Sequence, residues 1–267
     1  MKKFLAVIAI FIANSSCAPF VDSPFSDALL RPERDLNTKT LSTLKDADAD
    51  GIIRIAIFAD SHQNYKALDQ VIYNMNLEKN IDFVVGLGDY TNSGYNLEYD
   101  QFLDGLSHLH WPKILAIGNH DSIGAGPQLF KKAFGDLNFY FESTSHRYIF
   151  WDSNNLEDPD NSKPEWLLQT VQSSTKPVFI FTHAPLTDTE RFKGSDVTTM
   201  TTILNDSRVQ LVVNGHLHSY ALTTFGTTIT LQCARVEGTQ WLILEITGNQ
   251  LCIKKMDTME TTCETLK

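Results

Sequence analysis

Three short stretches of this chain carry side chains that hold metals and move protons. They are Asp60-Ser61-His62, Gly118-Asn119-His120-Asp121 and Gly215-His216-Leu217-His218. Two further residues of the same kind stand alone, Asp89 after Gly88 and His183 after Thr182. Imidazole nitrogens, carboxylates and one amide form a mixed donor set that suits Mn, Fe, Zn or Co better than Ca or Mg, without choosing among the four. Taken singly, each residue carries little: Asp89 could cap a helix, and Asn119 could close an Asx turn. What gives them weight is their shared context. Each set follows a short apolar run, namely Ile52 to Ala59, Phe83 to Leu87, Ile114 to Ile117, Val178 to Phe181 and Val209 to Val213. Such runs read as buried strands, and open α/β sheets bind their ligands beyond the carboxyl ends of the strands. An Asp-x-His or His-x-His pair on extended chain puts both side chains on one side, since alternation has period two.

The elements that must position these residues follow from the apolar periodicity. Helix-period segments lie at Ala67 to Leu77, Phe102 to Leu109, Trp166 to Val171 and Thr199 to Asn205, between the strands. Two β segments, Phe139 to Glu142 and Tyr148 to Trp151, precede the third of these, and the chain from Tyr220 onward is strand-rich. This predicts an α/β fold, a mixed sheet or sandwich with helices outside. Residues 51–267 read as one domain without internal repeats. Four polar loops at the strand ends, Thr91 to Glu98, Ser122 to Pro127, Asn154 to Pro164 and Leu186 to Asp196, would select the substrate.

The amino terminus has a different character. Lys2-Lys3 and the apolar run Phe4 to Ala13 form a signal peptide over residues 1–16, too short for a spanning helix. Asn14-Ser15-Ser16-Cys17 resembles the lipobox of bacterial lipoproteins, in which the cysteine is lipidated, although Asn14 stands where leucine is usual. A lipid anchor on Cys17 and a plainly cleaved secretory signal are the two main readings, and both export the protein. Residues 17–50 read as a polar tether with one short helix near Thr38 to Lys45. Asp46 to Gly51 resembles the start of a calcium loop, but its twelfth position is Ile57 inside a strand, so a solvated turn is the better reading. Cys252 and Cys263 would face each other if Asp257-Thr258 turn a terminal hairpin. Either a disulfide or unpaired thiols fit the sequence.

The net charge of −10 argues against nucleic acid as a partner, since that binding needs a basic surface. An acidic chain must also create its own positive charge wherever it binds an anion. The absence of Gly-x-Ser-x-Gly and of a P-loop removes support for serine hydrolase and NTPase readings. His108 and His110 end a helix as exposed residues, and His146 belongs to a hairpin turn.

Taken in order, Asp-x-His, Gly-Asp, Gly-Asn-His-Asp, a lone His and Gly-His-x-His resemble the calcineurin-like metallophosphoesterase superfamily, over roughly Ile52 to Tyr220. Tyr148 to Ser153 and Glu165-Trp166-Leu167 resemble spacer segments of its phosphodiesterase-type members. The resemblance implies a metallophosphoesterase-type β-sandwich of mixed sheets flanked by helices, with a dinuclear metal centre at the strand carboxyl ends. It assigns Asp60, His62 and His218 to one transition metal and Asn119, His183 and His216 to the other, with Asp89 bridging them. It makes His120 the catalytic residue that protonates the leaving oxygen or stabilises charge in the transition state, while a bridging hydroxide attacks phosphorus. The implied activity is hydrolysis of a small phosphodiester by an exported, lipid-anchored enzyme of the cell envelope. Phosphomonoester or nucleotide hydrolysis, and a non-catalytic binding protein on the same fold, are the alternatives. Where many members have Gly-Asp-x-x-Asp, this chain has Asn92. The amide would accept the His120 hydrogen bond without charge, or Asp121 would substitute.

Overall fold

The computed structural model describes residues 23–44, 47–237 and 240–267. The signal peptide and Cys17 lie outside them, as do Lys45 and Asp46 of the expected helix end and turn. Two six-stranded mixed sheets face each other. In the first, β1 (Ile52–Phe58) runs parallel to β2 (Phe83–Gly86), and β2 to β3 (Lys113–Leu115). β10 (Leu242–Thr247), β11 (Gln250–Lys255) and β12 (Thr261–Thr265) extend it antiparallel on the other side of β1. The second sheet has a parallel centre of β5 (Arg147–Trp151), β6 (Val178–Thr182), β7 (Val209–Asn214) and β9 (Thr228–Gln232). Its antiparallel edges are β4 (Phe139–Glu142) and β8 (Ala221–Phe225).

Strand alternation sorts the core into three layers. Ile53, Ile55 and Ile57 of β1 point between the sheets, where they join Tyr148, Phe150, Phe179, Phe181, Leu211 and Val213. Ala56 and Phe58 point the other way, toward α2 (Tyr65–Leu77), α3 (Asn96–Ser107) and α4 (Gly126–Phe134). On the outer face of the second sheet, Ile149, Trp151 and Ile180 pack against α5 (Pro164–Gln172) and α6 (Ser195–Leu204). Central strands covered on both faces are continuous apolar runs, which is why they were legible.

Three elements differ from the sequence reading. The helix expected from Phe102 begins at Asn96, because Glu98 completes a capping box with Tyr95 and makes the polar first turn helical. The sequence predicts no helix at α4, whose first two residues end the loop Ser122 to Pro127, yet Pro127 in its first turn and buried Leu129, Phe130, Ala133 and Phe134 are a helix signature. The short helix expected near Thr38 to Lys45 is α1 (Leu36–Leu41), one turn earlier. It belongs to residues 23–44, a segment expected as tether that instead packs on the domain: Leu29 and Leu36 join the cluster outside the first sheet, and Leu41 and Leu44 join the core between the sheets. The buried Asn37 amide bonds both the N–H and the carbonyl of Leu115, and the Asp100 carboxylate accepts from the amides of Leu30 and Arg31. Asp48 receives Ser143 Oγ and the amides of Thr144 and Ser145 in the turn before β5, which holds its carboxyl down at about 2 against the effect of burial. Cys252 and Cys263 pair across β11 and β12 in a disulfide. Among the described residues no helix is long and apolar enough to cross a membrane.

Candidate metal centre

The loops after β1, β2, β3, β6 and β7 meet at one end of the sandwich. They bring all seven predicted ligands and His120 together. Asp60, His62, Asp89 and His218 form one group whose donor atoms lie within 4.8 Å of one another, and Asp89, His183 and His216 form a second. Asn119 joins the second group through its amide oxygen, 3.0 Å from both His183 Nε2 and His216 Nδ1. Asp89 is common to both groups: its Oδ2 is 3.3 Å from His183 Nε2 and 3.9 Å from His62 Nε2. Its Oδ1 accepts from the amide of His120 at 2.9 Å.

The way the pairs converge corrects the period-two argument. Asp60, His62, Asp89, His216 and His218 all have positive φ, between 45° and 71°. These residues are past the strand ends, where left-handed backbone turns the side chains inward; strand alternation does not aim them. Non-glycine residues seldom adopt this region, and such strain collects at functional sites. The loops also come unusually close. A Cβ on Gly118 would lie 2.1 Å from the Asp89 amide nitrogen, and one on Gly88, itself at φ 97°, would lie 2.5 Å from the Gly118 amide nitrogen. Only glycine fits at either contact.

The loop after β2 also fixes the imidazoles. Carbonyl oxygens of Leu87, Thr91 and Asn92 accept from Nδ1 of His183, His62 and His120, at 2.8, 3.2 and 2.8 Å. A carbonyl can only accept, so Nδ1 carries the proton in each ring and Nε2 is turned to the centre. His216 is reversed, with Nδ1 toward the centre and Nε2 toward Asp188, 3.9 Å away. His120 is held beside the first group, its ring edge-on to His62 with centroids 4.9 Å apart. The expectation for Asn92 is therefore corrected: its main-chain carbonyl, not its exposed amide, holds His120. Asp121 is no substitute either, because its buried carboxylate is taken up by the amides of Gly118, Tyr90 and Thr91 and by Thr91 Oγ1.

The charges of the metal-free chain show what the site needs. Burial pushes Asp60 up to about 7. Burial also works against the charge on Asp89, but His183 beside it holds that carboxyl well below its ordinary value. His183 is raised to about 9 by the same pair, despite its burial, and burial lowers His216 to about 4. A cation would replace the proton on His183 and neutralise both carboxylates. The spacing agrees. Donors separated by 3.0 to 3.3 Å are what ligands about 2.0–2.1 Å from one centre would show at angles between a right angle and about the tetrahedral value. The residues fit two metal ions that share Asp89.

The model of the calcineurin-like phosphoesterase family matches residues 53–220, more than half of the chain. The chain belongs to this family. It is a metallophosphoesterase, a hydrolase acting on phosphoric esters. No curated protein sequence matches it. Among solved structures it is similar to a dimetal phosphatase from Danio rerio, at 13% identity and a TM-score of 0.65, covering 80% of this chain and 99% of that one. It is also similar to a purple acid phosphatase from yellow lupin seeds, at 13% identity and a TM-score of 0.62, covering 80% of this metallophosphoesterase and 53% of that chain. GAP50 of Plasmodium, the anchor in the inner membrane complex, matches at 14% identity and a TM-score of 0.60, covering 81% and 89%. At these identities the likenesses establish the fold.

Proposed function

We propose that this metallophosphoesterase hydrolyses small phosphodiesters at a dinuclear centre held by Asp60, His62, Asp89, Asn119, His183, His216 and His218. The observation that carries the reading is the complete donor set, with Asp89 shared between its two halves. Because the same fold serves as a phosphatase in one structure and as an anchor in another, the fold does not decide activity; the site does. Two bound Mn, Fe, Zn or Co ions would supply positive charge for the phosphoryl oxygens and acidify water for attack on phosphorus. The chain's residues do the rest. Asp89 couples the two halves, and its Oδ1 bond to the His120 amide fixes the start of the catalytic turn. His120 keeps its Nδ1 proton on the Asn92 carbonyl, so its Nε2 is the atom that meets the substrate. In the imidazolium form that nitrogen donates to the leaving oxygen. Preference for diesters is supported by the spacer segments Tyr148 to Ser153 and Glu165 to Leu167. The test compares bis-p-nitrophenyl phosphate with the monoester, with and without Mn²⁺. Metal-dependent turnover favouring the diester is expected. A preference for the monoester would move the assignment to phosphomonoesterase or nucleotidase, and no turnover of either would favour a binding protein.

We further propose that the chain is exported, with residues 1–16 as signal peptide, residues 17–50 leading into a catalytic domain at 51–267 against which 23–44 pack, and lipid on Cys17 holding it to the cell envelope. The signal-like amino terminus and the Cys252–Cys263 disulfide, at home in an oxidising compartment, support this reading. Cys17→Ser is expected to move the protein out of the membrane fraction while phosphodiester turnover stays unchanged. Unaltered fractionation would leave the plainly secreted form.

A further inference from the structure

We infer that Asp188, on the loop after β6, is the positioning residue for His216, its carboxylate facing Nε2 so that Nδ1 is aimed at Asn119 and His183. This rests on reading those residues as one half of the metal centre. Three site histidines have the nitrogen that faces away from the centre anchored on a main-chain carbonyl, whereas His216 is turned round and, among the described residues, has no such carbonyl. For Nδ1 of a neutral ring to offer its lone pair, Nε2 must carry the proton. That nitrogen faces Asp188 Oδ2 at 3.9 Å, longer than a hydrogen bond, so the inferred contact requires ring and carboxylate to close by about 1 Å.

Asp188 is itself held in place. Its Oδ1 accepts from the amides of Glu190 at 2.9 Å and Arg191 at 3.2 Å, which leaves Oδ2 for the imidazole. The Arg191 side chain is buried, with Nε 3.9 Å from the same Oδ2, and Glu157 grips the guanidinium with bonds of 2.7 and 3.0 Å. Asn155 adds a bond of 2.8 Å to the Arg191 carbonyl. Glu157, Arg191, Asp188 and His216 thus form a line of alternating character from the loop after β5, through the loop after β6, to a residue on the loop after β7. A buried arginine between the two carboxylates, together with the Glu190 and Arg191 amides, holds the Asp188 carboxylate in one orientation. Carboxylates behind metal-binding imidazoles fix the tautomer and raise ligand basicity, and losing one costs about 10–100-fold in metal affinity.

Asp188→Asn isolates this role, because it keeps an oxygen for the two amides and removes the charge at Oδ2. The metal-stripped wild type and variant are titrated with Co²⁺, followed by calorimetry and by the visible spectrum of the bound ion. The wild type is expected to take two equivalents. In the variant one equivalent weakens about 10–100-fold with an altered spectrum, the other is unchanged, and the melting temperature of the metal-free chain stays where it was. Two equivalents bound with wild-type affinity and spectrum overturn the inference. A wild type that binds fewer than two overturns the reading of the centre instead. If Asp188→Asn lowers the melting temperature, Glu157→Gln, remote from His216, replaces it: weakening of the same single equivalent supports the line of contacts, and unchanged binding overturns it.

Discussion

At the scale of single residues, the site is made of groups that burial alone would neutralise. Asp89 shows this most directly, because one carboxylate serves both donor groups. Asp89→Asn is expected to lower metal occupancy and turnover together, measured by elemental analysis and diester hydrolysis on one preparation. Full activity with two bound ions would refute the shared ligand. Another buried carboxyl stands outside the donor groups. Asp152 is fully buried, one of its oxygens lacks a hydrogen-bond partner, and burial pushes it up to about 7. Its folded value is above the unfolded one, so between about pH 4 and pH 7 the folded state binds the extra proton, and stability falls as pH rises through that window. Asp152→Asn is expected to remove this slope and to gain up to roughly 4 kcal/mol above pH 7. Denaturant unfolding of both proteins at pH 5 and pH 8 checks it, and an equal difference at the two pH values would sink it.

At the scale of elements, the centre depends on loops that cross at backbone distance. Gly118 follows β3 and Asp89 follows β2, and a methyl group between them would lie 2.2 Å from Asp89 Oδ1. Gly118→Ala must therefore push Asp89 away from His62 and His183. Misplacement of about 1 Å costs on the order of 10²-fold in rate, so turnover should fall at least that far, with metal lost, while the circular dichroism spectrum keeps its shape. Wild-type turnover in this variant would show that the two loops can part freely. Much of this level was readable from the chain. The strands were clear because burial on both faces leaves unbroken apolar runs, and the donor residues stood directly beyond them. The inward turn of Asp60, His62 and His218 was not readable, because it arises from left-handed backbone rather than alternation. Nor was the Asn92 carbonyl, since a main-chain acceptor leaves no mark on residue type. Asp188 was hidden for a related reason: it is one acid in a polar loop, and only the fold brings it to His216.

At the scale of the whole molecule, the chain brings its candidate metal ligands to one junction between two sheets and must keep those sheets in register. The last strand bears on this. β12 is the edge of the first sheet, three places from β1, and every one of its residues is exposed. Its own burial contributes little, so other contacts hold it. Buried Leu266 enters the core between the sheets, and the Lys267 ammonium reaches the Val209 carbonyl of the second sheet at 3.0 Å. The Cys252–Cys263 bond ties β12 to β11 and, through Leu266 and Lys267, helps close one sheet on the other. A cross-link of this short span stabilises by about 3 kcal/mol, chiefly by restricting the unfolded chain. For a domain of this size that corresponds to a melting temperature roughly 6–12 °C higher. Replacing both cysteines by serine is expected to remove that increment, and reductant should do the same to the wild type but not to the variant. Diester turnover at 25 °C should be unchanged, because the centre is on the loops after β1, β2, β3, β6 and β7 and touches neither cysteine. Equal melting of the wild type with and without reductant would show that β12 is held without the bond, and would withdraw the disulfide as support for an oxidising compartment.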